Sequence, residues 1–450
     1  MALFNNRRLT NQHIQLDIHG LRQGLYSDKY FTNIAHILGQ LEHRGYYFDG
    51  DPVRGIDISA TRNVRVGEIT VEAQIFNRRA PYALVGGVDV ALAMLRHATG
   101  YFVGDEFVPT WDKLEVHAVQ DGSFTYYAGN PEQVLPVMQI RGRLRDFTLL
   151  ETPMLGVLSR ATRIATNVYD VLEVCNNKQV LFFPARFDWH QTQALDGYAY
   201  WLAIQTHNTL RGGELTPLIS TDAQGLWWGG TGRGTIPHAY IACFFGDTAE
   251  AMRQFAKHMP LDTLRVALVD FNNDCVRDAL RTLEVFWDEY RLALANGDEE
   301  AQKRYTLHGV RLDTSGNMLD ASLSEGDGRG VSPALVHTVR RALDNAWTAW
   351  EHTLSPNMIE IAKNYCRAVK IVVSGGFNRE RIEHFETNHV PVDYYGVGSS
   401  LFTNDKTTNT DFTMDVVRAR VGDDWLNVAK VGRAPNDNPA LEPVQLADFE

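Results

Sequence analysis

Two glycine turns stand one βα unit apart in the sequence. They are Ser374-Gly375-Gly376 and Gly396-Val397-Gly398-Ser399-Ser400. Turns without bulky side chains let successive backbone N–H groups close on an anion. At the strand ends of a parallel sheet or barrel, that chemistry is phosphate binding. Either turn alone reads better as an ordinary strand–helix connection, but the pair at this spacing favours a phosphate cradle. Further polar residues fall at the ends of other apolar runs. Arg311, Asp313 and Gly316 stand at the end of the run begun by Leu307, and Asp270 closes Val266 to Val269. Phe183 stands three residues before Arg186, and His238 leaves a glycine-rich loop that includes Thr235. Each has a plainer reading: a surface ion pair, a helix cap, a core ring, a histidine bonded to backbone. Four such clusters on strand ends of one sheet, with the two turns, make a candidate site.

Other signatures are missing. There is no GxxxxGK[ST], and Gly229 to Gly234 lacks the GxGxxG order. His384 to His389 is not HExxH, and no GxSxG occurs. Trp227, Trp228, Trp347 and Trp350 read as packing or interface residues. Cys175, Cys243, Cys275 and Cys366 are dispersed with no CxxC, so neither a zinc knuckle nor a disulfide framework is indicated. Four buried thiols in a reducing cytoplasm is the simplest account. No metal-ligand set stands out.

The elements that must hold these residues change in texture near residue 148. Before it, residues 1–23 are polar and mixed, an arm or edge element. Gly24 to Phe31 leads into a helix reaching about Leu41, with Ser27 or Asp28 as N-cap. Val64 to Asn77 alternates like a half-exposed strand, Val85 to His97 is helical, and strand-like pieces occupy Leu114 to Phe147. An antiparallel, partly β domain over 1–147 follows. Over 148–405, helical and short apolar runs alternate as in an α/β barrel. Helices are expected from Glu151, over Asp188 to Ile204, Thr248 to Met259, Cys275 to Ala295 and Pro333 to Thr353. Strands are expected at Val180 to Phe183, Val266 to Asp270, Leu307 to Leu312, Ile371 to Val373 and Val390 to Tyr395. From 406 to 450 a hairpin around Gly422-Asp423-Asp424 packs back on the N-terminal β domain. Ala434 to Glu450, with three prolines and no period, reads as a loose end.

With 450 residues the chain can build a large core, and 44% hydrophobic with 22% charged residues is ordinary globular composition. A net charge of −12 argues against broad nucleic-acid or anionic-membrane binding. No apolar run is long enough to span a bilayer, and the first residues show no apolar leader, so a cytoplasmic protein is expected.

Taken together, these residues resemble the nicotinate phosphoribosyltransferase family, which includes nicotinamide-using relatives. The resemblance runs from Gly24 to Thr403, and the shorter archaeal-type enzymes are nearest. Its carriers, in consistent order, are GLYSDKYF at 24–31, RGRLRDFTLLETPMLG at 141–156, GTIPHA at 234–239 and LVD at 268–270. GVRLDTSG at 309–316, KIVVSGG at 370–376 and YGVGSS at 395–400 complete the set. It implies an irregular α/β barrel of the type II phosphoribosyltransferase kind, joined to the N-terminal antiparallel β domain. It implies a homodimer with shared active sites that moves phosphoribose from phosphoribosyl pyrophosphate (PRPP) to a pyridine nitrogen. Mg²⁺ is used, and ATP hydrolysis is coupled through a phosphohistidine.

By the same resemblance His238 is that histidine and Asp270 orients it. Phe183 stacks under the pyridine ring, and Tyr30 of a neighbouring subunit covers the other face. Arg311 reads the ring substituent, Asp313 stands near ribose and magnesium, and Arg186 contacts phosphate. Gly375, Gly376, Gly398 and Ser399 hold the 5′-phosphate. The sequence departs from the family at Pro184, where glycine is usual, and at Phe187, where a second arginine is usual. The substrate-selecting segment corresponds to Ser220-Thr221-Asp222. A carboxylate there accepts from an amide and repels nicotinate, so Asp222 favours nicotinamide. Pro184 and Phe187 favour a third reading, a non-catalytic binder of a nucleotide or sugar phosphate. The cysteine-rich C-terminal zinc module of archaeal relatives has no counterpart.

Overall fold

The computed structural model describes residues 8–52 and 56–449. The opening residues read above as part of an arm without an apolar leader fall, for 1–7, outside the described residues. The rest of that stretch forms two short helices, Asn11–Ile14 and Ile18–Arg22, rather than a sheet edge. Arg8 reaches the buried Asp89 at 2.9 Å and so ties this arm down.

The described chain builds helix α1 (Lys29–His43), strand β1 (Thr70–Asn77), α2 (Val88–Ala98), β2 (Glu115–Ala118) and β3 (Met138–Arg143). Then follow α3 (Glu151–Leu172), β4 (Gln179–Phe182), α4 (Gln193–Arg211), β5 (Leu218–Ile219), α5 (Thr248–His258), β6 (Val266–Leu268) and α6 (Cys275–Ala295). Next come β7 (Gly309–Leu312), α7 (Pro333–Asn345), α8 (Pro356–Ala368), β8 (Lys370–Val373), α9 (Arg379–Thr387) and β9 (Tyr394–Val397). The hairpin β10 (Phe412–Val421) and β11 (Asp424–Asn427) and the short β12 (Glu442–Val444) close the series.

Two six-stranded sheets result. The first is antiparallel in the order β11-β10-β1-β3-β2-β12. The second is parallel in the order β6-β7-β8-β9-β4-β5 and is open between β5 and β6, a half-barrel. The expected α/β barrel with an antiparallel sheet joined by the C-terminal hairpin is therefore what the chain forms.

Each sheet has its own core. In the antiparallel part, α2 and the start of α3 cover β1 to β3 through Leu92, Leu95, Met154 and Leu158. Around the half-barrel, α6 buries Leu283, Phe286 and Trp287. Full burial of one such side chain contributes roughly 1.5–3 kcal/mol. The tryptophans fill packing roles: Trp350 stacks on Trp287 at 5.3 Å and Trp228 on Trp201 at 6.2 Å.

Three expectations are corrected. β1 begins at Thr70, and both its faces are covered. Glu72 receives Arg141 and Arg418, and Gln74 bonds Ala434 O and Asn436 N. The C-terminal stretch is thus no loose end: β12 pairs with β2, and Leu446 and Phe449 are buried in the core. Its prolines forbid a long strand but not docking. Of the four thiols only Cys175, Cys275 and Cys366 are buried; Cys243 is exposed. Among the described residues, no helix is long and apolar enough to cross a membrane.

Candidate active site

In a parallel sheet, alternate side chains point to the inner face, and those at the C-terminal ends form its rim. β7 sends Arg311 and Asp313 inward, β8 sends Val372 and Ser374, and β4 sends Leu181 and Phe183. These line a cavity of about 1490 Å³ on the inner face of the half-barrel, together with the loop 231–238 and both glycine turns. The cavity continues past the strand starts to His308 and Lys370.

At the rim, one hydroxyl joins two charges from the next strand. Arg311 Nε donates to Ser374 Oγ at 2.8 Å, and Ser374 Oγ donates to Asp313 Oδ1 at 2.6 Å. Arg311 Nη2 closes the ring on Asp313 Oδ2 at 3.2 Å. The guanidinium lies 5.1 Å from the Phe183 ring centroid. Nothing takes its Nη1 among the described residues, so a charged donor stays free beside an aromatic face. That face needs Gly396: a Cβ there would stand 2.8 Å from Phe183 Cε2 and 3.1 Å from Ser374 Cβ.

The two turns meet. Gly375 and Gly376 both take left-handed backbone, at φ +87° and +77°, a state that costs glycine little. Ser400 Oγ donates to Phe377 O at 2.8 Å and clips the second turn to the first. Among the described residues the backbone N–H groups of Gly375, Gly376 and Phe377 donate to nothing, the condition for an anion nest. Gly398 and Ser399 line the same cavity, and the Phe187 ring edge fills the space a Cβ on Gly398 would need.

His238 opens a five-residue helix, His238–Ala242. Its Nε2 meets Asp270 Oδ1 at 3.0 Å, with the imidazole exposed and the carboxylate buried. Burial raises the Asp270 pKa, and the neighbouring imidazole opposes that rise. His238 lines the main cavity and also a smaller hollow of about 350 Å³ beside Asp270, Phe271 and Thr314. It stands between the two. Thr235 and Arg186 line the main cavity as well.

Two predicted residues stand elsewhere. Asp222 is not on the cavity wall; its Oδ1 accepts the Gly232 N–H at 2.8 Å and pins the loop, while Ser220 faces the cavity. Tyr30 is exposed outside the cavity, with its hydroxyl donating to Asp28 Oδ2 at 3.1 Å. Asp28 Oδ2 also accepts from Thr152, so the motifs at 24–31 and 141–156 touch.

The sequence names Ser374 and Gly396 only as members of the two turns; the bonds of Ser374 to Arg311 and Asp313, and the room Gly396 leaves for Phe183, are not legible there. The alternation along β8 and β9, counted from the turns backwards, is the one signal that places both on the inner face. Mg²⁺ needs few protein ligands when it rides on a phosphorylated substrate. Asp313 on the wall suits that use, whereas Asp270 lies off the main cavity with its Oδ1 on His238; no cluster of three or more His, Cys, Asp or Glu occurs among the described residues.

No family model and no curated protein sequence matches the chain. Among solved structures, nicotinate-nucleotide pyrophosphorylase from Pyrococcus furiosus superposes with a TM-score of 0.59 at 22% identity, over 93% of this chain and 80% of that one. Human nicotinic acid phosphoribosyltransferase superposes with a TM-score of 0.49 at 15% identity, over 88% of this chain and 75% of that one. The first of these likenesses shows that the chain shares the fold of the Pyrococcus protein.

Proposed function

We propose that this chain is a phosphoribosyltransferase that joins PRPP to nicotinate, releasing pyrophosphate and nicotinate mononucleotide. The observation that carries the reading is the Arg311–Ser374–Asp313 ring beside Phe183, opening on the same cavity as the two glycine turns. A flat, anionic base suits an aromatic face with a free guanidinium edge. A 5′-phosphate suits N–H groups left without partners. The fold shared with a protein named nicotinate-nucleotide pyrophosphorylase is in keeping with it.

The chemistry asks the protein mainly for positioning. As the C1–pyrophosphate bond loosens, positive charge grows on the ribose ring. Asp313, aimed into the cavity, is placed to offset that charge. Phe183 and Arg311 hold the pyridine nitrogen behind C1, while the turns hold the other end of the ribose. When bound, Mg²⁺ supplies charge neutralisation to the pyrophosphate. His238 with Asp270 suits acceptance of a phosphoryl group from ATP, because the carboxylate fixes the imidazole tautomer. On this reading the exposed Tyr30 serves the cavity of a second copy in a homodimer.

Nicotinamide is the second choice. Asp222, the feature that favoured it, spends its carboxylate on Gly232, whereas Arg311 favours an anionic ring substituent. A non-catalytic binder has no use for a histidine paired with a buried carboxylate. The test is incubation with PRPP and Mg²⁺ with nicotinate or nicotinamide, each with and without ATP. Nicotinate mononucleotide, formed faster with ATP, is expected. Product from nicotinamide alone would reverse the base assignment. PRPP binding with no product in any tube would leave only a binder.

A further inference from the structure

Arg381, in the first turn of α9, takes no part in the site as described, yet its guanidinium lies directly behind the diglycine turn. Nη1 donates to Gly375 O at 2.7 Å, and Nη2 donates to Val331 O at 2.7 Å. Its Cζ is 4.1 Å from the Phe377 ring centroid and 5.8 Å from that of Phe385. Burial depresses its pKa. No carboxylate pairs with it among the described residues, so the protein meets this half-buried charge with carbonyl dipoles and ring faces.

We propose that Arg381 is the positioning residue of the phosphate turn. It sets the direction of the Gly375–Gly376 peptide and gives the turn a positive charge that a bound phosphate dianion neutralises. This rests on the phosphoribosyl reading above. In a trans peptide the C=O and the following N–H point in opposite directions. Holding the Gly375 carbonyl against the guanidinium therefore turns the Gly376 N–H away from it. Two adjacent glycines with positive φ have many alternative conformations, and the arginine selects one before any ligand arrives. Its second arm, on Val331, ties the loop between β7 and α7 to the same turn. A lysine could keep the charge but not bridge both carbonyls in one plane.

The test uses the full chain with Arg381→Met and Arg381→Lys. The readouts are titration with inorganic phosphate and with PRPP, the separate KM values for PRPP and nicotinate, and urea midpoints. The methionine variant is expected to bind phosphate and PRPP about 10-fold more weakly, the scale of a lost charged contact, with the KM for nicotinate within about twofold. Lysine should restore part of the phosphate affinity. Unchanged phosphate affinity in a folded methionine variant would overturn the proposal, as would equal loss toward phosphate and base. Should the methionine variant fail to fold, the lysine variant decides: phosphate affinity equal to wild type refutes the bridging role. Wild type that binds neither phosphate nor PRPP overturns the phosphoribosyl reading itself.

Discussion

His238 Nε2 and Asp270 Oδ1 stand 3.0 Å apart, although the two residues belong to different connections of the half-barrel. An ionised Asp270 accepts the Nε2 proton, which leaves Nδ1 with its lone pair free. The imidazole is exposed to both hollows while its partner is buried, so on the proposed reading Asp270 orients the ring and Nδ1 is left to react.

That division predicts two separable variants. His238→Ala should abolish the stimulation by ATP while leaving slow ATP-independent transfer. Asp270→Asn can donate to Nε2 and so favour the tautomer with Nδ1 protonated. It should slow phosphohistidine formation on the order of 10²-fold, within the usual range for general acid–base groups. Acid-labile phosphate on the protein after brief exposure to ATP is the measurement, and equal loss with and without ATP in His238→Ala would contradict the role.

Gly396→Ala tests the proposed seat of the base. Its Cβ would stand 2.8 Å from the Phe183 ring, so the ring must tilt. Overpacking of this kind costs about 1–3 kcal/mol. The KM for nicotinate should rise well above that of the wild type, with the KM for PRPP nearly unchanged. A parallel rise in both would mean that the ring does not hold the base.

Arg311→Lys keeps the charge but cannot bond Ser374 and Asp313 together while presenting a free edge. Loss of one charged hydrogen bond is worth about 1.5–3 kcal/mol. The expected fall in kcat/KM with nicotinate is therefore roughly 10- to 100-fold. Nicotinamide, if accepted at all, should suffer less, because it lacks the carboxylate that the guanidinium would meet.

Glu151, at the start of α3, gives a prediction in pH. Burial, then the nearby Asp415 and Asp28, raises its pKa to about 8. The folded state thus holds a proton that the unfolded chain releases near its ordinary value of 4.5. Stability from this group is present in full at low pH and is lost as pH rises through the folded value. Glu151→Gln should flatten the decline in urea midpoint between about pH 5 and pH 8. A wild-type profile already flat over that range would refute the assignment.

Much of the architecture was legible because it is locally encoded. The amphipathic period predicted Cys275 to Ala295, and α6 has those bounds. The run Val390 to Tyr395 read as a strand, but β9 is Tyr394–Val397. Pro391 has no N–H to pair, and the partners β4 and β8 set the register. Helix α8 went unread, although Ser355-Pro356 offers an N-cap followed by proline at the first helical position. The same holds for the site. The glycine turns, Arg311, Asp313, Phe183 and His238 were named from strand ends alone, and the half-barrel brings them to one cavity.

What the sequence by itself determined is the set of periodic elements and the polar residues at their ends, since alternation and turn chemistry act over a few residues. Only the tertiary structure decided the rest. Ser374 joins Arg311 and Asp313 across more than sixty residues. Gly396 makes room for a ring from another strand, Asp222 turns to its own loop, and the tail covers Gln74. Each depends on strand register and on which face is covered. A shift of one residue reverses every side chain, and no local signal specifies that choice.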